Sequence, residues 1–231
     1  MKRIFNSFQA NFFTNNNDVS ATPPILGMLL NKLSSLSLLP MFAQEVNGLT
    51  GEKRQIVIMT DASQTFKIEF PNQNIVFSGV NIEGEIFFDK LEASIDALKS
   101  IFPDKKSNRL AILQSCFYKA TDDVYTELYK KIFTHHKANP IEWENRIVER
   151  DTVGLSDEVV NMVSSVRRCA IQSPMFDNGS FIDAINFEVD TNTIPENTKT
   201  RFDFTSSIPV FKDLMNKNNE LMKGFSRYTD I

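Results

Sequence analysis

The residues of this chain that could carry chemistry are few, and their spacing seldom lets them converge. Only two His are present, His135 and His136. On a helix, neighbours point about 100° apart, so two adjacent imidazoles do not share a metal as an i, i+4 pair would. With Lys137 following, the pair is expected at a solvated helix C-terminus, where cations suit the dipole. The two Cys, Cys116 and Cys169, fall far apart in strand-like runs and are expected as free thiols of a reducing cytosol. A nucleophile elbow of the Gly-x-Ser-x-Gly kind is missing, and the tightest glycine pair, Gly48 with Gly51, cannot form a phosphate-cradling loop. The sequence gives no reason to expect a metal, nucleotide or redox cofactor, and argues against catalysis.

Carboxylate pairs are the one catalytic motif left: Asp122-Asp123, Glu142 with Glu144, Glu149 with Asp151, and Glu188 with Asp190. Such pairs can hold Mg²⁺ or divide general acid and base roles, so a carboxylate–Mg²⁺ enzyme is the alternative reading. Glu188 and Asp190 share one strand face, opposite Phe187 and Val189, and alternation of this kind usually marks a solvated face. Asp122-Asp123 is expected to serve a helix start. Basic residues cluster as Lys105, Lys106 and Arg109; as Lys130, Lys131 and Lys137; and as Arg167 with Arg168. The second and third supply the candidate nucleic-acid or partner contacts: Arg167, Arg168, Lys130 and Lys131. Neighbours on a strand face opposite sides, so one of the two Arg must approach the core, and an internal carboxylate is its expected partner. A net charge of −4 and a pI near 5.3 argue against chain-wide affinity for nucleic acid or anionic membrane.

The elements that must position these residues are easier to read. Twenty Phe and 42% hydrophobic residues describe a chain able to bury a large core. Residues 3–13 read as a strand, and an Asn-rich loop leads to a helix opened at Pro24 and stopped by Pro40. Strands at 55–60, 65–70 and 74–78 form an antiparallel meander in which Phe66, Ile68 and Phe70 alternate toward a buried face. An amphipathic helix is expected over 84–102, a strand over 109–118, and a helix from Thr121 to about His136. A short strand at 145–150 and two long ones at 159–172 and 180–190 follow, the last two separated by Ser173-Pro174 and Asp177-Asn178-Gly179. A helix from about Pro209 to Arg227 closes the chain. Its stripe includes Phe211, Leu214, Met222 and Phe225, which are expected to dock on this chain's own sheet or to form an interface. No run of about 20 apolar residues could span a bilayer, and the apolar run of a signal peptide is missing after Lys2-Arg3.

Strands in consecutive groups favour an α+β fold with a mainly antiparallel sheet and helices packed on one face. Residues 1–231 are expected as one domain. Each half repeats a strand–helix entry followed by strands, so two similar subdomains divided near 103–108 stay open as an alternative. The pieces Ile56–Met59 with Thr65–Phe70, Arg109-Leu110-Ala111-Ile112-Leu113, and Leu214 through Phe225 with Thr229-Asp230 resemble a sporadically distributed bacterial family of unknown function. This chain carries Ser115-Cys116-Phe117 where that pattern places an aromatic and an Asn. The resemblance implies no activity; it hints at a role in mobile elements or phage conflict. The expectation is therefore a cytoplasmic, non-catalytic binding or assembly protein with a protein partner or a second copy of itself. Nucleic-acid binding through the basic clusters is a further alternative.

Overall fold

The computed structural model describes residues 1–154, 157–173 and 179–229. Strand β1 (Lys2–Phe13) leads through an Asn-rich loop to helix α1 (Pro23–Lys32) and a 3-10 turn at Ser34–Leu36. Strands β2 (Leu39–Val46), β3 (Lys53–Thr60), β4 (Phe66–Glu69) and β5 (Asn74–Val80) precede helix α2 (Gly84–Ile101). Beyond the short β6 (Lys106–Ser107) come β7 (Arg109–Lys119), α3 (Asp122–Ile132), β8 (Trp143–Thr152), β9 (Val159–Gln172) and β10 (Phe181–Thr193). The short β11 (Phe202–Asp203) pairs with β6 and leads into α4 (Phe204–Gly224) and α5 (Ser226–Thr229).

Nine strands join in one antiparallel sheet, ordered β2-β3-β4-β5-β1-β7-β10-β9-β8. The fold is α+β, as the grouping of strands requires. Its middle is the pairing of β1 with β7, in which Phe8 faces Gln114 and Ala10 faces Ile112. The topology on the two sides of that seam is nearly the same: strand, helix, strands returning outside-in, helix. The N-terminal side has one additional strand, β4.

Alternation decides which face is covered. Phe8, Ala10 and Phe12 of β1 point to the same side as Ile75 and Phe77 of β5, Leu110 and Ile112 of β7, and Val57 and Met59 of β3. All are essentially buried, packed beneath Leu29 and Leu33, the α2 residues Phe87, Leu91, Ile95 and Leu98, and the α4 residues Val210, Phe211 and Leu214. Phe8 stacks on Phe87 at 5.2 Å and Phe12 on Phe204 at 4.8 Å. A second cluster joins Tyr125 and Leu128 of α3 to Val166, Ile185, Phe187 and Phe225. Every packed helix thus lies on one face of the sheet.

Several boundaries differ from expectation. The first helix, expected to run until Pro40, ends at Lys32, and Pro40 lies within strand β2, a segment to which the sequence pattern assigns no element. Helix α3 ends at Ile132, because Phe133 turns extended (ψ 148°) and stacks on Tyr129 at 4.9 Å, leaving His135 and His136 in the following segment. Helix α4 starts five residues before Pro209. A capping box sets that start: Ser206 N–H donates to Asp203 Oδ1 at 2.7 Å, and Asp203 N–H donates to Ser206 Oγ at 2.9 Å. The expected separators Pro174, Asp177 and Asn178, and Asp230 of the C-terminal Thr-Asp, lie outside the described residues.

Candidate functional site

The two ends of the sheet are built from opposite chemistry. Asn47 N–H donates to Glu52 C=O at 2.8 Å, in register with the β2–β3 pairs. In an antiparallel ladder bonded pairs alternate, so the odd-numbered residues of β2 bond to β3. The backbone groups of Pro40, Phe42, Gln44 and Val46 point away from the sheet, with no strand beside them among the described residues. This edge also exposes apolar side chains: Leu39, Met41, Phe42 and Val46 are each about half exposed. Glu45 is its one charged side chain. The same argument, from the Val153 N–H bond to Glu158 C=O, turns the backbone of Glu144, Arg146, Val148, Arg150 and Thr152 outward on β8. There the sequence Glu-Asn-Arg-Ile-Val-Glu-Arg-Asp surrounds the open backbone with charge, the usual protection of an edge. β2 lacks that protection.

Across the middle of the helix-free face runs a polar row from β10. Ile185, Phe187 and Val189 enter the core, so Asn186, Glu188, Asp190 and Asn192 point the other way. Asn186 and Asn192 are nevertheless buried, and Glu188 and Asp190 are half-buried. Ser115 Oγ donates to Asn186 Oδ1 at 2.7 Å; Arg109 Nη2 donates to Asn192 Oδ1 at 3.0 Å; Asn192 Nδ2 donates to Asp190 Oδ1 at 3.2 Å. Asp190 sits between Leu113 and Val163 in register. Burial pushes its carboxyl above the ordinary aspartate value, with Glu188 adding to the shift while Asn192, Arg109 and Arg146 oppose it. This face is therefore not the solvated one that alternation alone suggests. Two carboxylates on one strand do not make a metal centre, and no cluster of three His, Cys, Asp or Glu occurs among the described residues.

The other expected residues divide between the faces. Arg167 lies on the helix-free face beside Asn186; its Nε is buried without a partner, and it makes no ion pair among the described residues. Arg168 points to the helix side, where its guanidinium lies over the Tyr125 ring at 4.7 Å. It pairs with Asp183 at 2.5 Å and with Asp122 at 3.0 Å. Lys130 pairs with Glu127, and Lys131 is exposed on α3. Lys105, grouped by sequence with the surface cations, is buried, and its Nζ donates to Asn15 C=O, Asn16 Oδ1 and Asp18 Oδ1. The three basic clusters do not merge on one face. Phe211, Leu214 and Phe225 are buried against the chain's own sheet and Met222 packs beside them, so the α4 stripe is consumed within the fold and offers no free interface. Cys116 and Cys169 point to opposite faces and are unbridged.

The β2 edge is hard to read from its sequence, Leu-Pro-Met-Phe-Ala-Gln-Glu-Val, which has apolar residues on both faces and a Pro at its second position. The available signal was the apolar run itself, which no period-two pattern assigned to a core. No family model matches the chain, and no curated protein matches it.

Proposed function

We propose that this chain is a non-catalytic binding and assembly protein that recruits a protein partner by strand addition at β2. The observation that supports the reading is the contrast between the sheet's two ends: the outer edge of β2 is open and apolar with Glu45 as its one charge, while β8 is densely charged. An unprotected edge of this length is a template for another strand. Its main-chain groups would supply affinity, and its alternating side chains would give specificity. A second copy of the chain satisfies these terms, because antiparallel pairing of β2 with itself about a two-fold axis would extend the sheet and cover Phe42 and Val46 of both copies. The two free cysteines accord with the cytoplasmic setting that belongs to this reading, and among the described residues no helix is long and apolar enough to cross a membrane.

The test is Gln44→Pro, which removes one outward-facing N–H and leaves every β2–β3 bond intact. Light scattering across a concentration series should show a dimer for the parent chain and a monomer of unchanged circular dichroism for the variant. A parent chain that stays monomeric to the highest concentration, or a variant that still dimerises, would remove β2 as the assembly edge.

A further inference from the structure

Beside α3, at the end of the sheet opposite β2, a cleft of about 360 Å³ opens between the helix, the 136–140 segment and the start of β8. Its wall is aromatic. Tyr129 stacks on Phe133 at 4.9 Å, Trp143 meets the Phe133 ring edge-on at 5.6 Å, and Tyr129 and Trp143 lie 6.2 Å apart. Its remaining charged side chains are all basic or imidazole: Lys130, His136, Lys137 and Arg168, with no carboxylate in the lining. Arg168 is already balanced by Asp183 and Asp122. Lys130 shares only an exposed contact with Glu127, a kind of pair that holds its partners weakly. Lys137 makes no ion pair among the described residues. The indole N–H of Trp143 is buried with no acceptor, an arrangement that costs free energy unless something supplies one.

A site with a half-buried aromatic wall on one side and, on the other, one weakly paired lysine and one with no ion pair among the described residues has the chemistry of a ligand carrying a planar ring and a dianionic group. Rings stack sequence-tolerantly on Tyr and Trp, and Lys binds phosphate as a point charge. The volume is at the lower end of small-molecule sites, about 300–1,000 Å³, which leaves room for one nucleotide unit. We infer that the cleft binds a nucleoside monophosphate, its base against Tyr129 and Trp143 and its phosphate between Lys130 and Lys137. Neither lysine contributes to a core, and the inference is independent of strand addition at β2.

Trp143 is the only tryptophan in the chain and lines this cleft, so its fluorescence reports occupancy directly, and calorimetry provides a second readout. AMP and UMP should saturate the signal and bind at least about tenfold more tightly than inorganic phosphate or the free nucleosides, a difference of about 1.4 kcal/mol. Lys130→Ala with Lys137→Ala should weaken AMP by about tenfold or more at unchanged melting temperature. By calorimetry Trp143→Ala should lose the preference for AMP over phosphate, and Trp143→Phe should keep most of it. Three results would overturn the assignment: no saturable signal with millimolar AMP, equal binding of AMP and phosphate, or phosphotyrosine binding as tightly as AMP. An AMP affinity unmoved by the double lysine variant would do the same.

Discussion

Asn218 is the residue on which the seating of α4 can be tested most directly. It is fully buried on a helix whose buried residues are mostly apolar. Its Nδ2 donates to Ile112 C=O at 2.8 Å, and its Oδ1 accepts from Thr191 Oγ1 at 2.6 Å. One amide therefore ties α4 to both β7 and β10. Asn218→Leu keeps the branched shape at a somewhat larger volume and removes both bonds. Each bond is worth about 0.5–1.5 kcal/mol net, and a stranded buried hydroxyl costs about 1–3 kcal/mol. Ile112 C=O retains its ladder bond, so Thr191 bears most of the second cost. The sum is about 2–6 kcal/mol, which for a chain of this length lowers Tm by roughly 4–24 °C. Urea denaturation of the parent, Asn218→Leu, Thr191→Val and the double variant measures the pair. The double variant should be more stable than the sum of the single losses implies, by about 1 kcal/mol or more, because Val leaves no hydroxyl stranded. A loss below about 1 kcal/mol for Asn218→Leu, or strict additivity, would refute the reasoning.

Two further substitutions probe the sheet from its other face and within strand β5. Because Asp190 binds its proton more readily folded than unfolded, stability falls as pH rises from the ordinary aspartate value of 3.8 through its raised one. Asp190→Asn should therefore raise the urea midpoint at neutral pH, with the gain vanishing as pH falls toward the ordinary value; a gain that persists in acid, or a loss at neutral pH, would contradict the assignment. At Gly79 an added Cβ would stand 2.7 Å from both Ile82 Cδ1 and Phe87 Cδ2. Phe87 is fixed in its stack on Phe8, so Gly79→Ala should cost about 1–3 kcal/mol in the same assay; unchanged stability would show that the ring can retreat.

Much of the architecture was written in local pattern. Phe66, Ile68 and Phe70 announce the meander, and the stripe of Phe87, Leu91, Ile95 and Leu98 announces α2, because period and burial coincide there. Arg167 and Arg168 divide between faces as strand geometry requires. The failures have physical causes. Helical spacing continues through Phe133, but its ring gains more by stacking on Tyr129 and Trp143 than by extending α3. Pro209 looks like a first-turn proline, whereas the stronger start signal is the reciprocal Asp203–Ser206 pair. The burial of Asn186 and Asp190 was illegible, since it follows from β10 lying between β7 and β9 rather than at an edge. No window around residue 190 contains that information. Edge or centre is a property of the whole sheet, and the β2 edge escaped the sequence for the same reason.

The seam between β1 and β7 bears on how the chain is made. In chain order β1 precedes the other strands of the sheet, yet it lies at the middle of the finished sheet, where Ser7 pairs with Ser115 and Phe12 with Leu110. By the time α2 has emerged, β1 can pair with β5, and β2 to β5 can close a five-stranded half with α1 and α2 over it. The other side of β1 then stays open until β7 has been translated, with Phe8 and Phe12 waiting for part of the cover that α4, which follows the sheet strands in the chain, provides. During that interval a neighbouring nascent chain presents the same open β1, and the near-equivalence of the two halves makes it a close imitation of the strand that is missing. Synthesis on crowded polysomes is thus the stage at which this protein most needs a chaperone, and the hazard ends when β7 takes its place.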